Sequence, residues 1–273
     1  MPRFLLFCLT LCLSAPSPVQ AYELWRNQPY GAGPLQKLDA YLPEHRANAP
    51  LVVMVHGGGW VGGDKRTLPV WRRKAAYWTG LGAIFVSVNY RLVPEVMPDT
   101  QVQDMAAALA LVQRSAKAWG GDPERIVLMG HSAGAHLVAL LAADPAREGA
   151  RPWLGTVALD TAAYDVETLM QNQPSRLYQQ AFGPDPAIWQ AASPLARLQR
   201  GVGPLLLVCS QKRGPACPAS HGFAQAVTAR GGAARVLPQP LNHLAINAGL
   251  GAKGPYTEAV EAFLQEIGFW GGS

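Results

Sequence analysis

An α/β fold, with a mostly parallel central sheet, helices on both faces and a small cap region, is predicted by three features of this 273-residue chain. Short runs rich in β-branched residues alternate with longer segments of helical spacing, the pattern of right-handed strand–helix–strand crossovers. Runs such as Leu51-Val52-Val53-Met54-Val55 are apolar throughout rather than alternating, as strands covered on both faces require. Glycine clusters follow two of these runs, at 57–59 and at 130 and 134, where a strand must turn sharply. The length suits one large domain, and 49% hydrophobic residues with 15% charged residues describe a globular chain.

The first 21 residues read separately. Arg3 precedes the apolar run from Phe4 to Leu13, and Val19-Gln20-Ala21 places small residues at the cleavage-determining positions. Charge, short apolar core and small-x-Ala end predict a secretory signal peptide cleaved after Ala21, giving a secreted or periplasmic protein over 22–273. The run is too short for a comfortable membrane span. Removing it leaves Cys209 and Cys217, which in an exported chain predict a disulfide worth roughly 2–3 kcal/mol by loop-closure entropy.

Along the remaining chain, 35–43 alternates and predicts a strand with one face to solvent. Strands follow at 50–55, 83–90, 126–129, 154–160, 204–209 and 234–238. Helices are predicted over 72–81, 101–119, about 220–229 and 257–267, with one more after Ser132. The stretch 161–200, carrying Tyr164, Leu169, Tyr178, Phe182 and Trp189, is too long for a simple connection and predicts a partly helical cap. Its aromatic residues either pack against the body or line a pocket for an apolar acyl or aryl group.

The net charge of +5 is scattered, apart from Lys65-Arg66 and Arg72-Arg73-Lys74, with no basic stripe interleaved with aromatics, so a nucleic-acid partner is not predicted. No His/Asp/Glu cluster has metal-ligand spacing, and no phosphate-cradling Gly-x-Gly-x-x-Gly follows a strand, so neither a metal nor a cofactor is implied.

The chemistry centres on Gly130-His131-Ser132-Ala133-Gly134, which joins an apolar strand to an alanine- and leucine-rich helix. In that context Gly-x-Ser-x-Gly is a nucleophile elbow, which exposes Ser132 at a strand end. Together with His56-Gly57-Gly58-Gly59-Trp60 and Val88-Asn89-Tyr90-Arg91-Leu92 upstream, it resembles the α/β-hydrolase esterases, especially the hormone-sensitive-lipase-like and arylformamidase-like groups. The resemblance covers nearly all of the chain beyond residue 21. It implies the α/β-hydrolase fold and an oxyanion hole built from the N–H groups of Gly58, Gly59 and Ala133. Trp60 then either walls the substrate pocket or packs, and His56 holds the loop.

The base belongs late in the chain, just past the last strand, where Leu241-Asn242-His243 stands. His221 is its rival. His45, His131 and His136 lie before the core strands, inside the elbow and along its helix. The acid departs from the resembling esterases, most of which carry Asp or Glu in the loop after the penultimate strand. Here that loop, 210–217, holds no carboxylate, and we read it as a disulfide-pinned structure no longer used to present the acid. Asp160, at the end of the preceding strand, resembles the position used by pancreatic-type lipases. Asp165, Asp185 or a water-supported dyad are the alternatives.

These residues predict a serine hydrolase acting on a small-molecule carboxylic ester through an acyl-enzyme. The alternatives are an amidase of the arylformamidase kind and, from another class, a non-catalytic binding domain on the same fold.

Overall fold

The computed structural model describes residues 22–271; the leader predicted over 1–21 lies outside them. The strands are β1 (Tyr22–Pro29), β2 (Lys37–Pro43), β3 (Ala49–Val55), β4 (Ile84–Val88), β5 (Gly121–His131), β6 (Gly155–Leu159), β7 (Leu205–Ser210) and β8 (Ala234–Gln239). They form one sheet in the order β1-β2-β4-β3-β5-β6-β7-β8. Pairing is antiparallel for β1 with β2 and for β2 with β4, and parallel for every later pair. The elbow strand β5 is therefore central, with its carboxyl end beside those of β3 and β6.

Between these strands run α1 (Leu68–Gly80), α2 (Pro98–Ser115), α3 (Ala133–Ala143), α8 (Ala216–Ala229), α9 (His243–Gly249) and α10 (Pro255–Glu266). One sheet face packs on α1, α9 and α10 through Val52, Met54, Phe85, Met129, Trp78, Ile246 and Phe263. The other face packs on α2, α3 and α8, through Val53, Val86, Leu109 and Leu137 and then Ala158, Leu207 and Phe223. Consecutive strand residues point to opposite faces, so unbroken apolar runs are what a sheet covered twice demands. The predicted cap is four short helices, α4 (Val166–Gln171), α5 (Arg176–Phe182), α6 (Pro186–Ala191) and α7 (Pro194–Arg197).

Two strand readings needed correction. β1 was not expected from Tyr-Glu-Leu-Trp-Arg-Asn-Gln-Pro, because an edge strand needs no consistent apolar face. β2 was expected to show one face to solvent, but Leu38 to Pro43 are all buried. Its alternation came from Asp39, and that carboxylate is itself inside the protein. It accepts from Lys65 Nζ at 2.8 Å, Asn27 N at 2.7 Å and Arg66 Nε at 3.1 Å. Tyr41, on the same face, stacks on Trp71 of α1. Helix starts were read late where proline opens the helix: Pro69 and Pro98 stand in the first turns of α1 and α2, positions where the missing N–H costs nothing.

Asp39 and Lys65 bury their side chains to 1% and 3% exposure, and the pair ties the chain that leaves the glycine loop to the sheet. Burial works against the Asp39 carboxylate, but Lys65, the Asn27 amide and Arg66 outweigh it and hold its carboxyl below the ordinary range. Removing one partner of a buried pair strands the other charge. Asp39→Ala should therefore lose about 3–5 kcal/mol of unfolding free energy in a denaturant titration. Because the folded-state value is depressed, this contribution is present above an unfolded carboxyl value of about 4 and is lost as pH falls through the folded value. The variant should accordingly show a shallower acid destabilisation than the parent.

Candidate active site

The elbow is set by two close backbone approaches. A Cβ on Gly130 would lie 2.3 Å from the Gly134 carbonyl oxygen, and one on Gly134 would lie 2.4 Å from the Val55 carbonyl oxygen. With glycine at both places, α3 starts hard against the ends of β3 and β5. Ser132 takes the turn at φ 57°, ψ −117°, a region that costs a non-glycine residue on the order of 1–3 kcal/mol. Its N–H is anchored on the Leu159 carbonyl at 3.0 Å, which couples the elbow to the end of β6.

His243 Nε2 lies 3.0 Å from Ser132 Oγ, and its Nδ1 lies 2.6 Å from Asp160 Oδ2. The three side chains come from the ends of β5 and β6 and from the first residue of α9. Asp160 is fully buried, with φ 59°. Burial by itself would raise its pKa, but the bond from His243, the Ser210 amide on Oδ1 at 2.8 Å and the nearby Arg213 charge hold its carboxyl below the usual range. The alternative acids stand elsewhere. Asp165 caps α4 by accepting from Thr168 N, and Asp185 caps α6 by accepting from Ala187 N. His221 is an exposed residue of α8.

Three other histidines brace the site. His131, placed by the sequence only as a histidine inside the elbow, reaches the His243 carbonyl with Nε2 at 2.9 Å and packs its ring 4.5 Å from that of His243. Burial, with the His243 charge second, pushes His131 down to about 3. The ring is thus neutral, and because a carbonyl can only accept, Nε2 carries the proton. Lys74 of α1, noted in the sequence only as part of the basic run 72–74, braces the site as well. Its buried Nζ donates to the carbonyls of Pro69 and Asn247 and to Asn247 Oδ1, at 2.6–2.8 Å, and clamps α9 onto α1. Burial pushes its ammonium down to about 7. The start of α9 did carry a readable signal, since Asn242 Oδ1 caps Ala245 N at 2.8 Å.

The glycine loop passes against the nucleophile: a Cβ on Gly57 would lie 2.9 Å from Ser132 Cβ. Gly58 and Gly59 hold φ 125° and 63°, and a Cβ on Gly58 would lie 2.2 Å from the Gly62 carbonyl oxygen. Among the described residues no acceptor takes the N–H of Gly58 or Gly59, and Ala133 opens α3, where an N–H has no intrahelical partner. His56 stacks on Tyr90 at 4.5 Å and contacts the Gly57 carbonyl through Nδ1 at 2.7 Å, a loop-holding position. Trp60 is packed, the second of the two roles its position allowed. It is 3% exposed, packs against Phe182 at 4.8 Å, and donates from Nε1 to His136 Nδ1 at 3.0 Å. His136 Nε2 in turn meets the Ala192 carbonyl at 2.7 Å, joining α3 to the cap.

Cys209 and Cys217 form a disulfide across the turn from β7 to α8. A cavity of about 590 Å³ opens between the cap and α8, walled by Tyr164, Leu169, Tyr178, Leu195, Phe223 and Ala226. Among the described residues no group of three or more His, Cys, Asp or Glu side chains is arranged to hold a metal ion, and no helix is long and apolar enough to cross a membrane.

The elbow's dependence on bare backbone can be measured. Gly130→Ala drives a methyl into a carbonyl that cannot yield, so we expect a loss of about 3 kcal/mol or more, a Tm drop of roughly 6–12 °C. Gly222→Ala, on α8 with open space around it, should instead gain a few tenths to about 1 kcal/mol.

The BD-FAE family model matches residues 38–177. The chain is similar to esterase LipQ of Mycobacterium tuberculosis, at 30% identity over 241 residues, covering 80% of this chain and 56% of that protein. It is also similar to carboxylesterase NlhH of the same organism, at 46% identity over 101 residues, covering 37% of this chain and 31% of that protein. The chain thus spans about half of the first relative's length and about a third of the second's. Among solved structures, esterase B from Lactobacillus rhamnosis superposes with a TM-score of 0.73 at 22% identity, covering 90% of this chain and 85% of that one. That likeness establishes the α/β-hydrolase fold.

Proposed function

Because the chain belongs to the BD-FAE family, we propose that it is a serine hydrolase that cleaves small-molecule carboxylic esters through an acyl-enzyme. The observation that carries this reading is the unbroken hydrogen-bonded chain Ser132–His243–Asp160 beside backbone N–H groups that no acceptor among the described residues occupies. Similarity to proteins named esterase and carboxylesterase supports an ester as the substrate.

Ser132 Oγ attacks the ester carbonyl while His243 Nε2 takes its proton. Asp160 keeps the imidazole in the tautomer with its hydrogen on Nδ1 and stabilises the imidazolium as it forms. The negative charge on the former carbonyl oxygen meets the amides of Gly58, Gly59 and Ala133. Such donors are each worth about 10²–10³ in turnover, because they are already oriented when the charge develops. The proton then passes from Nε2 to the departing alkoxide, the alcohol leaves, and water repeats the sequence to release the acid. Substrate and water suffice.

A fluorophosphonate should label wild-type protein at Ser132 and leave Ser132→Ala unmodified; a folded wild type that takes no adduct would favour the binding-domain reading. Turnover on nitrophenyl esters of increasing acyl length, beside a formanilide, separates the esterase from the amidase. Asp160→Asn should lose about 10⁴ in turnover, by analogy with the serine-protease triad, while Asp165→Asn keeps wild-type turnover.

The reading extends to export, supported by the leader pattern of residues 1–21 and by a disulfide of the kind found in oxidising compartments. Expressed in a secreting host, the mature protein should begin at Tyr22 by intact-mass measurement; retention of residues 1–21 would count against it.

A further inference from the structure

The loop 210–217 holds no carboxylate, yet it reaches the acid from both sides. The Ser210 amide donates to Asp160 Oδ1, and Ser210 Oγ donates to the Leu241 carbonyl at 2.6 Å, two residues before His243. Three residues further on, Arg213 Nη1 lies 3.4 Å from Asp160 Oδ2 and 3.2 Å from the Asp160 backbone oxygen. Its Nη2 lies 3.4 Å from the Tyr178 hydroxyl on α5, a residue of the cavity wall. The Cys209–Cys217 disulfide closes the segment that carries both donors.

We propose that Arg213 is the positioning residue of the acid: a disulfide-closed loop presents a cation where the resembling esterases present their carboxylate, and so holds Asp160 in line with His243. A fully buried carboxylate is tolerated only when its lone pairs are engaged. Ser210 serves Oδ1, and His243 takes one direction of Oδ2. Arg213 supplies the remaining charge and also satisfies the carbonyl that the positive φ of Asp160 turns away from regular strand pairing. Its own side chain is 29% exposed, so the guanidinium stays partly hydrated and costs little to hold there. The contacts at 3.2–3.4 Å are long, so Arg213 steers Asp160 electrostatically more than it grips it. Other titratable groups surround the pair, with Lys212 beside Arg213 on the loop and Tyr178 against its Nη2. His243 and Arg213 touch Asp160, His131 lies behind His243 with Lys74 beyond it, and Tyr164 and Tyr256 lie within reach of the Asp160 charge. Among these, Arg213 is the loop cation in contact with the carboxylate.

This inference rests on the Ser132–His243–Asp160 reading, and its test has a readout that does not need turnover. Arg213→Gln, Arg213→Lys and the double variant Cys209→Ala/Cys217→Ala are compared with wild type for kcat, KM, the pH–rate profile and the downfield proton resonance of the His243–Asp160 bond. Arg213→Gln should lower kcat about 10-fold, the equivalent of one charge-assisted contact, with KM within about 2-fold. Loss of the cation makes protonation of the pair easier, so the acid limb should move to higher pH by about half a unit or more. The downfield resonance should shift or broaden. Arg213→Lys should restore most of each effect, and the double variant should move every readout in the same direction by less. Wild-type kcat, acid limb and resonance in folded Arg213→Gln would overturn the proposal. So would a kcat loss that Lys does not rescue with the acid limb unmoved, which is the mark of a merely structural role. If Arg213→Gln does not fold, an unmoved acid limb and resonance in the double variant overturn it equally. A wild type without ester turnover defeats the functional reading, while the resonance still reports whether Arg213 holds the pair.

Discussion

The contact on which the rest of the molecule depends is a place where side chains have been removed. The backbone at Gly134 lies against the carbonyls of Val55 and His56, and the backbone at Gly130 against Gly134 itself. These approaches bring the first turn of α3 between the ends of β3 and β5. The positive φ of Ser132, its position beside Gly57 and the orientation of the Ala133 amide all follow from them. Regular secondary structure cannot make such an approach with a Cβ present. Sheet packing on both faces then makes the arrangement rigid, because an elbow braced between two covered layers has no soft direction in which to relax.

A second constraint is electrostatic. His56 and His136, each pushed down to about 4, and His131, pushed down to about 3, are buried imidazoles held neutral by their surroundings. Each commits at least one ring nitrogen to a partner: the Gly57 carbonyl for His56, the His243 carbonyl for His131, and Trp60 with the Ala192 carbonyl for His136. His243 differs in being 30% exposed, with one nitrogen on a hydroxyl and the other on a buried carboxylate. The site thus separates imidazoles used as uncharged brackets from the one placed to exchange a proton. Burial makes that distinction, since the residue type is the same.

The central strands, the elbow and the glycine loop were legible in the sequence because each leaves a local mark: an unbroken apolar run, or glycine where a Cβ has no room. His243 was legible by its order in the chain, and Asp160 because it ends the strand next to the elbow. What escaped has no local mark. Asp39 made β2 look half-exposed, since a buried ion pair and a solvent face have the same alternation, and its partner lies 26 residues away. Trp60 beside the glycine loop suggested a pocket wall, and only the positions of His136 and Phe182 reveal it as packing. The loop 210–217, read as no longer presenting the acid, indeed carries no carboxylate; what its sequence did not reveal is that the Ser210 amide and the Arg213 guanidinium reach back to Asp160.

The bond from His136 to Ala192 bears on how the cap is held. It fastens the stretch between α6 and α7 to the elbow helix through a buried nitrogen and a buried carbonyl. Moving the cap off that helix exchanges this hydrogen bond for water, a net cost of about 0.5–1.5 kcal/mol. The cap is thereby fastened to the same helix that begins beside the nucleophile, so its placement and that of Ser132 are set together.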